Sequence, residues 1–218
     1  MNRLLAVVAL LALAAASSAC ANPAADAPKA KTSEATTRPT ARAADAAGER
    51  LPITNENSRI EFVGSKVTGS EGGRFEKFTG TVHLVEARPE RSRVEIAIDM
   101  NSVVTDSSGL AEHLKSADFF DAPKFPTATF ISTDIKPGGE KGATHTVTGT
   151  LDLHGVTKAI AFPATIRVDA DAAALDAVFA INRKDFRITY AGRTNDLIRD
   201  EVVIKLYVRA PRAGTESN

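Results

Sequence analysis

Apolar and polar residues alternate in run after run of this chain between residues 51 and 211. In the last of these runs, Val202, Ile204, Leu206 and Val208 share one face, while Lys205 lies on the other. Alternation with a period of two is typical of strands that bury one face of a sheet. Glycine and proline turn signals separate the runs, and the sequence has no repeating strand-helix-strand pattern. The sequence therefore predicts an antiparallel barrel or sandwich.

One segment predicts a helix instead of a strand. Leu110 and Leu114 are four residues apart and so share one face of a helix, which we expect from about residue 107 to 117. Asp106 is placed to cap its first turn. Pro123 prevents the helix from continuing through the loop that follows. A single short helix is therefore expected between two strands.

Three segments are similar to the motifs of a known family. They are LKSADFFDAPKFPTATFIS at residues 114–132, GTLDLHGVTKAI at 149–160 and INRKDFRI at 181–188. In order and in content they resemble the YceI-like family of bacterial periplasmic proteins, and the likeness extends over about residues 51 to 210. The resemblance implies an all-β fold, an antiparallel eight-stranded lipocalin-like β-barrel with the short helix near residues 107–117 at the barrel end. It also implies that the barrel encloses a polyisoprenoid or a similar long apolar ligand.

Two positions depart from the pattern of that family. Arg187 stands where the family usually has a glycine after the phenylalanine, and Asp152 replaces a more usual threonine. Because glycine adopts backbone conformations that other residues avoid, the arginine predicts an altered turn after Phe186.

The apolar residues on the strand faces and at the exit of the helix are candidates for the wall of a cavity. The resemblance implies that they line a tunnel, and the alternative is that they fill a solid core, since an eight-stranded barrel is wide enough for either. The candidate residues for binding the apolar ligand are Phe62, Ile96, Ile98, Phe119, Phe120, Phe130, Leu151, Leu153, Phe162, Phe179, Ile181 and Leu206.

Two basic residues are candidates for contacts with the polar head group of such a ligand. Arg183 is one, because a guanidinium binds phosphate oxygens through two parallel hydrogen bonds, and Lys158 is the other. The alternative for Arg183 is an ion pair with Asp185, or with Asp118 or Asp121, that holds the loop under the helix. The alternative for Lys158 is a solvated hairpin residue.

The N-terminus carries the features of an export signal. Residues 1–19 contain Arg3 and then a run of Leu, Ala and Val that is too short to span a bilayer, which is typical of a signal peptide. Cys20, the sole cysteine, follows in a context that resembles a bacterial lipobox. We therefore expect lipid attachment at Cys20 and a periplasmic protein tethered to the outer membrane as a lipoprotein. The alternative is cleavage after Ala19 or Ala21, which would release a soluble protein.

The chain between the cysteine and the first strand predicts no fold. From residue 22 to 50 it contains no Leu, Ile, Val or Phe, so it buries too little surface to offset the entropy of ordering. We expect residues 20–50 to combine the lipid-attachment cysteine with a disordered tether. Residues 51–211 are long enough to form one domain, and residues 212–218 are expected to be a disordered tail.

The polar residues form no recognisable catalytic or metal-binding pattern. His83, His113, His145 and His154 lie at no metal-ligand spacing, and the sequence has no G-x-S-x-G or P-loop motif. The chain has 27 basic and 27 acidic residues, so no net charge attracts it to nucleic acid. We therefore expect no enzyme activity, catalytic residue, metal or cofactor. A small envelope hydrolase and a ligand-free structural module are the competing functions, and a homodimer is left open.

Overall fold

The computed structural model describes residues 22–35 and 48–212. The predicted signal peptide, Cys20, part of the predicted tether and most of the predicted tail lie outside these residues. In chain order, the strands are β1 (Lys31–Glu34), β2 (Glu49–Thr54), β3 (Arg59–Ser65), β4 (Ser70–Phe75), β5 (Phe78–Val85), β6 (Arg88–Asp99), β7 (Val103–Thr105), β8 (Thr127–Pro137), β9 (His145–Leu153), β10 (Val156–Val168), β11 (Ala172–Asn182), β12 (Gly192–Arg193), β13 (Asp196–Leu197) and β14 (Glu201–Pro211). The described residues contain one α-helix, α1 (Ser108–Lys115), and 3-10 helices at Met100–Ser102, Glu140–Gly142 and Arg183–Phe186.

Twelve of the strands form one antiparallel sheet. Its order is β2-β5-β6-β8-β9-β10-β11-β14-β3-β4-β7, with β1 paired to β10, while β12 and β13 form a separate ribbon. The prediction of eight strands is therefore wrong, although the mostly β, antiparallel fold with one short helix is confirmed. The count was missed because the added strands are short or carry little alternation, as in the glycine-containing β4, SEGGRF.

The sheet curls into a half-barrel, and side chains join its edge strand β2 to the end of β14. Directly after β14, Arg212 donates two hydrogen bonds to Glu49 of β2, with N···O distances of 2.9 and 2.5 Å. These hydrogen bonds lower the pKa of the Glu49 carboxyl. Ser58, in the turn between β2 and β3, accepts a hydrogen bond of 3.2 Å from the backbone N–H of Arg209. These side-chain contacts thus hold the edge strand β2 against the end of β14 and maintain the curl of the sheet.

Helix α1 is shorter than predicted and begins differently. Its N-cap residue is Ser107 and not Asp106, and the Ser107 side chain makes no capping hydrogen bond. The helix ends at Lys115, after which the backbone N–H of Ser116 donates to His113 O. Leu114 is buried, as its predicted position on the apolar face requires. The helix therefore packs one face on the half-barrel.

The N-terminal segment differs from the predicted tether, because residues 22–35 pack on the sheet. Ala24 is 2% exposed, and the backbone of Ala180 in β11 donates to Pro28 O and accepts from Ala30 N, both at 2.8 Å. Strand β1 then pairs with residues 158–161 of β10. Strands β10 and β11 pair only from Thr165 to Val168, so this segment fills the gap where they separate. Backbone hydrogen bonds and small alanines hold it, which a search for large apolar residues does not detect.

Candidate functional site

The concave face of the sheet encloses an apolar cavity of about 200 Å³. All twelve predicted wall residues lie around it, as do Arg183 and eleven residues that were not predicted. The residues not predicted are Ile60, Gly64, Phe75, Met100, Leu114, Ala128, Ile160, Ile188, Ile198, Val202 and Ile204. Among these described lining residues, Arg183 is the one charged side chain. The interior is therefore a space with an apolar wall.

Strand register explains why residues so far apart in sequence form one wall. Phe130 of β8 lies opposite Ile96 of β6 on one side and opposite Leu151 of β9 on the other. Ile204 of β14 likewise lies between Phe62 of β3 and Phe179 of β11. Side chains at paired positions of adjacent strands point to the same face of a sheet. The alternating pattern thus becomes a continuous apolar surface.

Aromatic rings surround the end of the cavity under α1. The ring centroid of Phe75 lies 5.7 Å from that of Phe62 and 5.9 Å from that of Phe120. The Phe62 ring lies against the backbone of Gly73, where a Cβ atom would come within 2.3 Å of it. Phe119 is buried under the helix, 5.0 Å from the ring of His113. The loop after α1 therefore places both predicted phenylalanines at this end.

Several of the residues that were not predicted could have been found from the alternating pattern. Ile60 shares a strand face with Phe62, and Ile204 shares one with Leu206. Ile188 and Ile198 lie in the irregular segment between β11 and β14, which folds over the cavity and has no such pattern. These two residues required the tertiary structure.

Arg183 lies in the wall, but its hydrogen-bond donors are directed to the protein backbone. Its side chain donates to Ile188 O at 2.7 Å, Arg199 O at 3.0 Å and Ile198 O at 3.3 Å. Asp200 is 3.5 Å away, so the acids predicted as its partners, at positions 185, 118 and 121, are not the ones it meets. Burial of this guanidinium, which is 4% exposed as a residue, lowers the pKa of Arg183. Arg183 therefore holds the segment between β11 and β14 over the cavity.

Arg187 keeps the turn that a glycine would favour. Its φ is 58°, in the left-handed region, and its backbone N–H donates to the carbonyls of the preceding 3-10 helix. The arginine thus adopts the left-handed conformation instead of avoiding it.

Lys158 is not among the residues that line the cavity. It lies in β10 and pairs with Glu34 of β1. The structure thus places it on the seam with the N-terminal segment, away from the position expected of a head-group contact.

The four histidines lie in four different environments. His83 is buried in β5, His113 lies 2.8 Å from Asp118, His145 lies 3.5 Å from Glu90, and His154 Nδ1 lies 3.0 Å from Phe186 O. Within residues 22–35 and 48–212, no three His, Cys, Asp or Glu side chains are grouped so that they could hold a metal ion. In the same residues, no helix has the length and apolar character needed to cross a membrane.

Comparison with known proteins identifies the family. The YceI-like domain family matches residues 52–210. A UPF0312 protein of Pseudomonas putida is 34% identical over 139 residues, which cover 61% of this chain and 71% of that protein. The crystal structure of Burkholderia cenocepacia BcnA has a TM-score of 0.65 at 26% identity, covering 72% of this chain and 99% of that one.

A second solved structure shares the fold at lower identity. It is a polyisoprenoid binding domain from Saccharophagus degradans implicated in plant cell wall breakdown, with a TM-score of 0.59 at 19% identity, covering 76% of this chain and 99% of that domain. The family match spans every strand of the curled sheet except β1 and the ends of β2 and β14. From its motifs, its fold and these relatives, the chain belongs to the YceI-like domain family.

Proposed function

We propose that this protein binds a polyisoprenoid or a similar long apolar molecule inside the half-barrel, for carriage or storage in the cell envelope, and catalyses no reaction. The observation that carries the proposal is the cavity of about 200 Å³, whose described lining is apolar except for Arg183. A pocket of this composition excludes charged molecules and favours hydrocarbon. The polyisoprenoid binding domain of Saccharophagus degradans, which shares the fold, supports the same class of ligand.

The hydrophobic effect gives this cavity a large gross affinity for a hydrocarbon chain. Transfer of one CH₂ group from water is worth about 0.8 kcal/mol, so each carbon that the cavity encloses contributes up to that amount before other terms. Loss of translational freedom and ordering of the chain oppose this by several kcal/mol. The remainder supports stable binding without any polar contact, which fits a wall whose one arginine is directed to backbone carbonyls.

A substitution that fills the cavity tests the proposal. Ala128 is 3% exposed and lines the cavity, whereas its neighbour Thr127 is exposed on the same strand. Ala128→Trp should therefore abolish uptake of a fluorescent prenyl probe, while Thr127→Trp, the matched control, should leave uptake unchanged. If the interior is a solid core, Ala128→Trp would instead destabilise the fold by roughly 1–3 kcal/mol. A wild-type protein that takes up no probe would leave the structural module as the better account.

We also propose that the protein is exported and lipid-anchored through Cys20 in the outer membrane, facing the periplasm. The sequence around Cys20 supports this, and the packed segment adds a geometric consequence. Asn22, the first described residue, follows Cys20 by two positions, a span of at most about 7 Å. An acyl group on Cys20 would therefore hold the Ala24 side of the sheet close to the membrane.

Cell fractionation tests the anchor. Cys20→Ser should move the protein from the membrane fraction to the soluble fraction or stall its processing. Wild-type protein that is fully soluble, with a mature N-terminus lacking acyl mass, would overturn the anchor and leave the ligand proposal intact.

A further inference from the structure

A second, smaller apolar cavity of about 60 Å³ adjoins the larger one in the half-barrel. Residues from β5, β6, β8, β9, β10, β11 and β14 surround it, among them Val147 and Val208. Ile96, Phe130 and Phe162 line both this cavity and the larger one, and so does Leu206. These four side chains are therefore a partition between two spaces in one apolar interior.

Three phenylalanine rings cross the interior at the level of this partition. The rings of Phe162 and Phe179 are stacked, with centroids 4.2 Å apart and planes 11° apart. The centroid of Phe130 lies 5.7 Å from that of Phe162. Phe162 and Phe179 are each 3% exposed, whereas Phe130 is only partly buried. Phe130 therefore has more accessible surface than either of the other two rings.

Gly149 explains how the Phe130 ring reaches across the interior. A Cβ atom at this position of β9 would lie 2.3 Å from the tip of the Phe130 ring and 2.6 Å from the backbone oxygen of Ile131. The absence of a side chain at Gly149 lets the ring lie flat over β9 toward Phe162. The partition thus depends on a glycine in one strand and a phenylalanine in the next.

We infer that Phe130, with Phe162 behind it, is the floor of the ligand site and sets the length of the apolar chain that the protein accepts. This inference rests on the proposed function. A chain that occupies the larger cavity contacts the rings of Phe119 and Phe120, and the Phe130 ring separates it from the second cavity. A longer chain has no space for its additional carbons beyond that ring. These carbons remain in water outside the cavity and add no transfer free energy.

A length series of prenyl alcohols tests this role. The mature full-length protein, stripped of bound lipid, is titrated with geraniol, farnesol, geranylgeraniol and longer polyprenols. Each enclosed carbon raises affinity by up to about fourfold, so the affinity of the wild type should climb with length and then level off. Phe130→Ala joins the two cavities, so the affinity of this variant should keep rising for at least one isoprene unit beyond the limit of the wild type. For an alcohol of that greater length, Phe130→Ala should bind at least about tenfold more tightly than the wild type.

Phe120→Ala is the matched control. Phe120 lines the larger cavity but not the second one, so its loss removes a ring of the same size without opening the floor. The affinity of Phe120→Ala for prenyl alcohols should level off at the same chain length as that of the wild type. Should Phe130→Ala unfold, Phe130→Leu keeps a branched apolar side chain and should lengthen the limit by a smaller step.

The outcomes separate the floor from the function. A wild type that binds no prenyl alcohol of any length overturns the proposed function, and the floor with it. If the wild type has a chain-length limit and neither Phe130→Ala nor Phe130→Leu changes it, the role of Phe130 as the floor is overturned. The proposed function is then unaffected. If Phe120→Ala shifts the chain-length limit as far as Phe130→Ala does, the role of Phe130 as the floor is also overturned. The accepted chain length would then depend on the total cavity volume.

Discussion

Truncation of two phenylalanines should distinguish the wall of a cavity from a packed core. Phe186, in the 3-10 helix after β11, is 0% exposed, so Phe186→Ala removes a fully packed ring. Such a change destabilises a protein by about 3–5 kcal/mol, since it loses the transfer free energy of the ring and leaves a new cavity. Phe130 already borders spaces of about 200 and 60 Å³, so little new cavity forms when it is truncated. The variant still loses the transfer free energy of the buried part of the Phe130 ring. We therefore expect Phe130→Ala to reduce the free energy of unfolding by about 1–2 kcal/mol.

Urea denaturation of the wild type and both variants measures this difference. A gap of about 2 kcal/mol corresponds to roughly 4–8 °C between the melting temperatures of the two variants for a domain of this size. Bound lipid must first be removed, because a ligand that binds the folded state raises stability by mass action. If Phe130→Ala costs as much as Phe186→Ala, the Phe130 ring is packed on every side. The interior would then be a core, and the reasoning from the cavity would be refuted.

Three further predictions concern the segments packed around the half-barrel. Deleting residues 22–35 from the mature protein should lower the melting temperature by several degrees, since it removes backbone hydrogen bonds to β10 and β11; an unchanged value would show that the segment does not pack. The hydrogen bond from Lys29 lowers the pKa of Glu201. At pH values above the usual pKa of a glutamate, the pair therefore stabilises the folded protein. This stabilisation is lost as the pH falls through the lowered pKa of Glu201. Lys29→Met should therefore lose less stability than the wild type between about pH 6 and pH 3, and equal losses in denaturation curves would contradict the pairing. Arg183 meets three carbonyls through three separate nitrogens, whereas the donors of a lysine all lie on one nitrogen and cannot span the same positions. Amide hydrogen exchange across residues 188–199 should therefore quicken in Arg183→Lys, and unchanged protection would argue against the role of Arg183.

The part of the fold that the sequence could predict is the part in which side chains alternate strongly. The faces formed by Ile96 and Ile98, or by Leu151 and Leu153, were predicted from period two alone and lie in the cavity wall. The family motifs added Phe119 and Phe120, which no strand pattern places. The wall residues on strongly alternating strands were thus predictable, because burial on one sheet face leaves a local signature.

The remaining features depend on contacts between distant segments. Strand β1 is held by its pairing with β10, and Pro28 and Ala30 before it are held by backbone hydrogen bonds with Ala180. Neither set of contacts leaves a pattern in side-chain hydropathy. The floor of the site depends on Gly149, whose importance appears only when the Phe130 ring is seen to lie over it. Arg183 was predicted to meet an acid or a ligand, but its partners are carbonyls that the segment before β14 brings to it. Tertiary geometry decided each of these cases.

Native mass spectrometry of the mature full-length protein, purified from a bacterial envelope without organic solvent, tests the central claim most directly. The apolar cavity predicts a protein ion that carries an added mass near one molecule per chain, which gentle activation releases as a long apolar lipid. The Ala128→Trp variant, prepared in parallel, should carry no such mass, while Thr127→Trp should carry it. A wild-type ion at the bare protein mass, both as purified and after incubation with geranylgeraniol, would contradict the claim that this half-barrel is a binding site for long apolar molecules.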